Sequence, residues 1–255
     1  MTPDELTRYA RHIVLREIGG PGQVRLGKAK VLLVGVGGLG SAAALYLAAA
    51  GLGALGLVDP DRVSLSNLQR QILYGTADLG LPKAERAAAA LGRLNPGVLV
   101  ETHPVRLGPD NAAALVASHD LVIDGSDNFV TRYCVNAACV RAGRPLLSGA
   151  MSQWEGQVAL FDPQRGGPCY RCLFPEPPAA GLAPDCAAGG VVGALPGVIG
   201  ALLALEAIKL IAGAGGGLRG SLLVFDGLWT ETRRIGIRAR ADCPDCLGAG
   251  LASRP

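Results

Sequence analysis

Lys30–Ser41 reads KVLLVGVGGLGS: a basic start, a short apolar run, a glycine-rich turn over Gly35–Gly40, and the onset of a helix of small residues. Glycines at Gly35, Gly37, Gly38 and Gly40 permit a tight strand-to-helix turn and let an anion approach the main chain. The helix that follows offers free N–H groups and partial positive charge at its first turn. Nineteen residues after Gly40, Asp59 ends the next apolar run, Leu55–Val58, where a carboxylate can accept ribose hydroxyls. Strand, turn, helix, strand and acid in that order predict a nucleotide-binding βαβ unit, since glycines used only for close helix packing would not require the acid.

The pattern extends in both directions. Helical spacing over 4–18 ends at Gly19-Gly20. Helices are predicted at Gly40–Ala50, Pro82–Leu94 (stopped by Asn95-Pro96), Asn111–Ala117 and Phe129–Ala142. They alternate with strands at Val31–Val34, Leu55–Val58, Val98–Thr102, Leu121–Ile123 and Pro145–Leu147. Such alternation predicts an α/β, Rossmann-like fold with a mostly parallel sheet and helices on both faces. After Ser148 the pattern changes. Gln157–Phe161 alternates like an exposed strand, and a loop rich in Pro, Gly and Cys covers Asp162–Gly190. A helix follows at Val198–Ala212, then two strands at Leu222–Phe225 and Arg233–Ile237 that make the sheet mixed through an antiparallel C-terminal extension. We read one unit over 1–255, with an N-terminal helical arm (1–28), a nucleotide-binding half (29–150) and a second half (151–255) carrying the cysteine pairs.

Composition narrows the classes. The 255 residues are 49% hydrophobic and 18% charged, which is a globular rather than a disordered balance. A net charge of +3 is too small to imply nucleic acid or an anionic membrane. Arg233, Arg234, Arg238 and Arg240 have acids beside them and read as a solvated face. The N-terminus carries acids and lacks the apolar core of a signal peptide. Ala187–Leu205 is uncharged and long enough to cross a bilayer, but it holds five glycines and Pro196 and runs into Glu206 and Lys209; a buried loop and helix is the expectation. No membrane association and a cytoplasmic location follow. Seven cysteines argue against a disulfide framework.

The run after Asp59, DPDRVSLSNLQRQ, favours a triphosphate over a dinucleotide. Asn67, Arg70 and Lys83 bring an amide and two cations toward phosphates; Arg grips oxygens bidentately and Lys acts as a point charge. Asp127, in GSDN after the fourth strand, falls on the same carboxyl edge of the sheet, and one carboxylate with phosphate oxygens and water suits Mg²⁺. Read singly, Lys83 is a first-turn lysine and Asp127 an N-cap for the helix at Phe129; their joint presence on one edge favours the ligand reading. His12, His103 and His119 fall away from strand carboxyl ends facing the turn, so the acid/base group of a dehydrogenase is not evident. Cys169, Cys172, Cys243 and Cys246 form two CxxC pairs, the ligand set of a closed, structural tetrathiolate zinc site. Cys134 and Cys139 lie on an apolar helix and read as core.

These motifs resemble the MoeB/ThiF/HesA group, the ATP-dependent activators of ubiquitin-like sulfur carriers within the ubiquitin-activating enzyme superfamily. The matching segments are RYARHIVLREIG, KVLLVGVGGLGS, LVDPDRVSLSNLQRQ, PKAERA, GSDNFVTRY, both CxxC pairs and GVIGALLALEAIK, in order along nearly the whole chain. The resemblance implies a homodimer that binds Mg-ATP and the C-terminal Gly-Gly tail of a small β-grasp carrier. The tail carboxylate is adenylated, with release of pyrophosphate, for sulfur transfer in thiamin, molybdenum-cofactor or tRNA-thiolation pathways. It implies that Asp59 takes the ribose and that Gly38 belongs to the phosphate turn. Ser66, Asn67 and Arg70, with Lys83, would bind the polyphosphate. Asp127 would be the catalytic, magnesium-associated acid, with Asn128 beside it. Arg11 would reach the partner protomer's site, and Cys186 aligns with a cysteine that links covalently to the carrier in thiamin-type members. Because the chain ends at Pro255, a separate sulfur donor, a cysteine desulfurase or rhodanese, is expected. Two other readings share parts of the pattern: an NAD(P)-dependent oxidoreductase, and a zinc-stapled adaptor without catalysis.

Overall fold

The structure, a computed structural model, describes residues 1–177 and 189–246. Its helices are α1 (Pro3–Arg8), α2 (Ala10–Ile13), α3 (Gly19–Lys28), α4 (Gly38–Ala49), α5 (Lys83–Leu94), α6 (Pro109–Ala117), α7 (Phe129–Ala142), α8 (Tyr170–Leu173) and α9 (Leu195–Ala212). Its strands are β1 (Lys30–Val34), β2 (Ala54–Val58), β3 (Leu99–His103), β4 (Leu121–Asp124), β5 (Leu146–Ser152), β6 (Glu155–Phe161), β7 (Ser221–Asp226) and β8 (Glu231–Gly236). They form one sheet in the order β3-β2-β1-β4-β5-β6-β7-β8. The first five strands pair in parallel and the last three add antiparallel. The mixed α/β fold expected from the sequence is therefore the one observed.

Alternation along the strands divides the core in two. Val31 and Leu33 of β1 join Leu55, Leu57 and Ile123 under α4, α5 and α9. Leu32 and Val34 join Val122 and Leu146 under α6 and α7. Side chains at successive strand positions point to opposite faces, so a run such as VLLV supplies both cores. The strand order reverses between β1 and β4, and the carboxyl ends there splay apart into the crevice where open α/β sheets bind ligands.

Two glycines make the turn at that crevice. Gly35 has φ +84° and a Cβ there would sit 3.1 Å from the Gly125 carbonyl group; a Cβ on Gly40 would overlap the Gly35 carbonyl oxygen. Both neighbours are backbone and cannot rotate away. Gly40→Ala is expected to cost at least about 3 kcal/mol of stability, in the range of severe core overpacking, as read by chemical denaturation.

The N-terminal arm differs from the sequence reading. In place of one helix over 4–18 there are two short helices with a break at Tyr9, and Gly19-Gly20 opens α3 rather than ending a helix. Each helical glycine costs about 1 kcal/mol, so local propensity opposes α3. Packing outweighs it: Leu26 is fully buried, and buried Gln23 donates from Nε2 to the Ala50 carbonyl at 2.8 Å. Pro21 lies in the first turn, where its missing N–H is not needed. Tyr9 breaks the arm because its ring is buried against Gly51 and its hydroxyl accepts from Asn95 Nδ2 at 2.9 Å.

Strand β6 also differs. It is mostly buried rather than exposed, because it pairs with both β5 and β7. The exposed edge is β8, whose Glu231, Arg233 and Arg234 are the charged residues that discourage edge-to-edge association. The helix α9 is long and apolar enough to cross a membrane by length and composition. Here it is half buried, and it crosses α4 closely enough that a Cβ on Gly200 would lie 2.8 Å from Ala42 Cβ.

Candidate functional site

A cavity of about 310 Å³ opens at the carboxyl ends of β1, β2 and β4. Of the residues expected there, Gly35, Gly37, Gly38, Asp59, Arg70, Lys83, Asp127 and Asn128 line it. Gly40 lies behind the wall, packed on Gly35. Ser66 and Asn67 are outside the lining and shape it indirectly. Leu65–Asn67 is a single 3-10 turn, in which the Ser66 carbonyl accepts from Arg70 Nη1 at 3.0 Å and the Asn67 carbonyl accepts from the Gln71 N–H at 2.9 Å. Arg11 is exposed on α2 and lines neither this cavity nor the one beside it. Cys186 lies outside the described residues.

Asp59 is the organising acid. It is buried, and its two oxygens accept from separate backbone N–H groups: Oδ2 from Val36 in the glycine turn at 2.7 Å, and Oδ1 from Asp61 at 2.9 Å. Each oxygen keeps a lone pair for a ligand hydroxyl. Burial pushes its carboxyl above the ordinary carboxylate range, while the Asp61 N–H and the Lys83 charge pull it back. Tyr74 seals the same corner by donating to the Val36 carbonyl at 2.8 Å.

Lys83 is 4% exposed at the first position of α5, where the helix dipole disfavours a cation. Its Nζ pairs with Asp61 Oδ2 at 3.0 Å, and the Asp61 carboxylate is 60% exposed. A buried cation ion-paired, among the described residues, with an exposed acid is placed to receive a ligand anion as well. Arg106, in the loop after β3, adds a third cation to the lining beside Arg70 and Lys83.

Asp127 stands at the junction of this cavity with a second one of about 220 Å³. It is not the N-cap of α7. That role belongs to Asn128, whose Oδ1 accepts from the Thr131 N–H at 2.9 Å. Among the described residues the exposed Asp127 carboxylate has no hydrogen-bond or ion-pair partner, so it is available to a ligand or a hydrated cation. The second cavity has largely apolar walls, including Phe129, Ala159, Phe161, Tyr170 and Leu222. Buried Arg132 sits in its wall and holds the Asp127 loop to β5: it donates to the Ser126 carbonyl, to the Gly149 carbonyl at 2.8 Å and to Ser148 Oγ at 3.2 Å.

Sequence reading missed Asp61, Gln71, Arg106 and Ser126. The rule that found Asp127, a polar residue just past a parallel strand, applies equally to Arg106 after β3. His103 proves to be the last residue of β3, contrary to expectation, but it lines neither cavity and sits near His119.

The four cysteines of the CxxC pairs are buried together, their Sγ atoms all within 4.8 Å of one another. Sγ separations are 3.8 Å (Cys169–Cys172), 3.5 Å (Cys169–Cys243) and 3.5 Å (Cys172–Cys246). A tetrahedral zinc with Zn–S bonds of about 2.3 Å sets S–S edges of about 3.8 Å, so the donor set fits. The Arg240 N–H points to Cys172 Sγ at 3.4 Å, in the manner of an outer-shell donor. Asn136 of α7 clamps both pairs, its Oδ1 accepting from the Tyr170 N–H at 2.8 Å and its Nδ2 donating to Asp245 Oδ2 at 2.7 Å. Cys139 is buried and Cys134 half-buried, on α7.

Comparison with known proteins agrees with this geometry. Residues 9–246 match the ThiF family model. A sulfur carrier protein adenylyltransferase of Thermus thermophilus is 50% identical over 96% of this chain and 92% of its own length. The mouse adenylyltransferase and sulfurtransferase MOCS3 is 52% identical over 98% of this chain, which spans 54% of that relative. Among solved structures, Escherichia coli MccB with ATP superposes with a TM-score of 0.80 at 23% identity, covering 94% of this chain and 73% of that one. That likeness concerns the fold. With a glycine turn, an acid after β2 and two paired CxxC knuckles in the places the family model spans, the chain belongs to the ThiF family.

Proposed function

We propose that this protein is an adenylyltransferase that uses ATP to activate the C-terminal Gly-Gly carboxylate of a small ubiquitin-like sulfur carrier. The observation that carries the reading is the junction at Asp127. On one side lies a cavity with a ribose-type acid and three cations; on the other lies a cavity of about 220 Å³ with largely apolar walls, where we place the tail. Relatives named for sulfur-carrier adenylation support it.

Asp59 accepts the ribose hydroxyls, the turn at Gly35–Gly38 receives the phosphates on free N–H groups, and Arg70 and Lys83 neutralise the polyphosphate. A tail carboxylate oxygen attacks the α-phosphorus; the bond from that phosphorus to the bridging oxygen of pyrophosphate breaks, and pyrophosphate leaves with the electron pair. The product is an acyl-adenylate, whose carbonyl is a far better electrophile than a carboxylate. No proton transfer to the protein is needed, so positioning and charge neutralisation carry the rate. Asp127 would hold Mg²⁺ together with phosphate oxygens; the ion supplies charge stabilisation at the departing pyrophosphate. The four thiolates would hold zinc as a structural staple. Sulfur from a separate donor would then displace AMP, in a thiamin, molybdenum-cofactor or tRNA-thiolation pathway, in the cytoplasm.

Arg11 is exposed and lines neither of the two cavities, which suits an arginine supplied across a homodimer. The test is ATP–pyrophosphate exchange dependent on a Gly-Gly-tailed carrier. Exchange should appear with one such carrier and vanish when its tail glycines are removed; no exchange with any of them overturns the reading. Exchange should fall at least about tenfold in the Arg11→Ala homodimer and at least about a hundredfold in the Asp127→Ala homodimer. Mixing the two should restore one site per heterodimer, and no recovery in a verified heterodimer removes Arg11 from that role.

A further inference from the structure

We infer that Gln71 is a nucleotide-positioning residue whose carboxamide binds the α-phosphate, an inference that rests on the cavity taking an adenine nucleotide. Gln71 is 4% exposed and lines the cavity, yet its Oε1 is sealed from solvent without a hydrogen-bond partner. Nor does any described residue bond its Nε2. Buried amides are ordinarily bonded on both sides, and leaving one unpaired is destabilising. The backbone around it is fully engaged: its N–H donates to the Asn67 carbonyl at 2.9 Å and its carbonyl accepts from the Tyr74 N–H at 3.1 Å. The fold therefore holds the side chain in place with its Nε2 donor unused; the sealed Oε1 is an acceptor and cannot pair with a phosphate oxygen, so it is Nε2 that can meet an anion.

Its position selects the ligand atom. Nε2 lies 3.5 Å from where a Cβ on Gly37 would be, and Gly37 is the N-cap of α4. The N-terminus of α4 is the anion site of the turn. Asp59, the ribose acid, is tied to Val36, the residue before Gly37. The first phosphate beyond a ribose held there is the α-phosphate, and Nε2 is the side-chain donor facing it. Across the turn Ser126 also lines the cavity. Arg70 and Lys83 supply charge to the polyphosphate, whereas a neutral amide supplies direction. It fixes the α-phosphorus relative to the incoming carboxylate without strengthening the hold on pyrophosphate.

The experiment compares wild type with Gln71→Leu and Gln71→Glu by melting temperature without nucleotide and by calorimetric affinity for ATP, AMP and adenosine. Leucine removes the unpaired amide at similar volume. It is expected to melt at or above wild type, to bind ATP and AMP at least about tenfold more weakly, and to bind adenosine within twofold of wild type. Glutamate sets a negative charge against the phosphate and should weaken AMP more than leucine does, again sparing adenosine. If leucine fails to fold, the glutamate variant alone decides by the AMP-to-adenosine contrast. A core role without ligand contact predicts lower melting with AMP affinity unchanged, and that result overturns the inference. Equal losses for adenosine and AMP overturn it as well, by moving the contact to the nucleoside. Wild-type protein that binds none of the three overturns the nucleotide reading itself, and this inference with it.

Discussion

Asp127→Ala is expected to lower carrier-dependent ATP–pyrophosphate exchange at least about a hundredfold, the scale on which removing a preorganised charge-stabilising group acts. The reason is position. Asp127 is the residue shared by the cationic cavity and the apolar one, together with Met151. Its carboxylate is exposed and has no partner among the described residues, so its removal leaves no buried donor unsatisfied. Stability should stay within about 0.5 kcal/mol of wild type, as for surface changes away from special features. Asp127→Asn keeps size and loses charge and should be equally defective. Exchange near wild type in either variant would take Asp127 out of the mechanism. A loss of exchange with matching loss of stability would show that the loop, not the carboxylate, had been damaged.

The same experiment separates the competing readings. In an NAD(P)-dependent oxidoreductase the phosphate-side cations would face a diphosphate bridge, and Asp127 would be one polar residue among several. In a zinc-stapled adaptor, neither Asp127 nor the buried Lys83 would be under chemical demand. Burying Lys83 at a helix N-terminus is an electrostatic cost that packing does not require. A site that accepts such a cost is one where a ligand's negative charge offsets it.

Legibility in the sequence followed the range of the interactions involved. KVLLVGVGGLGS and Asp59 were readable because strand, turn and acid are set by neighbouring residues, and the βαβ geometry then follows. The CxxC pairs were readable because thiol spacing within each knuckle is local, although their meeting is not. What escaped notice depends on contacts between distant segments. Helix α3 contradicts its own glycines and exists because Leu26 and Gln23 are buried under other elements. Strand β6 looked exposed because its second partner, β7, comes about sixty residues later. Gln71 is one more polar residue in LQRQ until Gly37 is seen beside it. Asn136 lies in an apolar helix, and nothing local says that it clamps Tyr170 and Asp245. The alternative reading of Asp127 as a cap is removed for a local reason: Asn128, one residue on, is the cap because its oxygen reaches the Thr131 N–H.

Replacing one cysteine of the cluster, as in Cys172→Ser, is expected to destabilise the protein by at least about 4 kcal/mol. At about 2–4 °C per kcal/mol for a chain of this size, that lowers the melting temperature by roughly 10 °C or more. Burial and the neighbouring Cys172 push the Cys169 thiol up to about 12, so ionising it is costly unless a metal binds it. With zinc, the loop at Cys169–Cys172 and the tail at Cys243–Cys246 become one crosslinked body on the end of α7, where Val140 packs against the cysteines. Wild-type protein should carry one zinc per chain and the variant little or none. The effect on chemistry should be indirect. The helix α7 begins at Phe129, two residues from Asp127, and reaches the cysteines at Val140, about 17 Å along its axis at 1.5 Å per residue. Below its lowered melting temperature, the variant should therefore retain nucleotide affinity within a few-fold of wild type. Folded wild-type protein without zinc would refute the tetrathiolate assignment. Loss of ATP binding at temperatures where the variant is still folded would mean that the staple also sets the geometry of the nucleotide cavity, transmitted along α7 through Arg132 to the Asp127 loop.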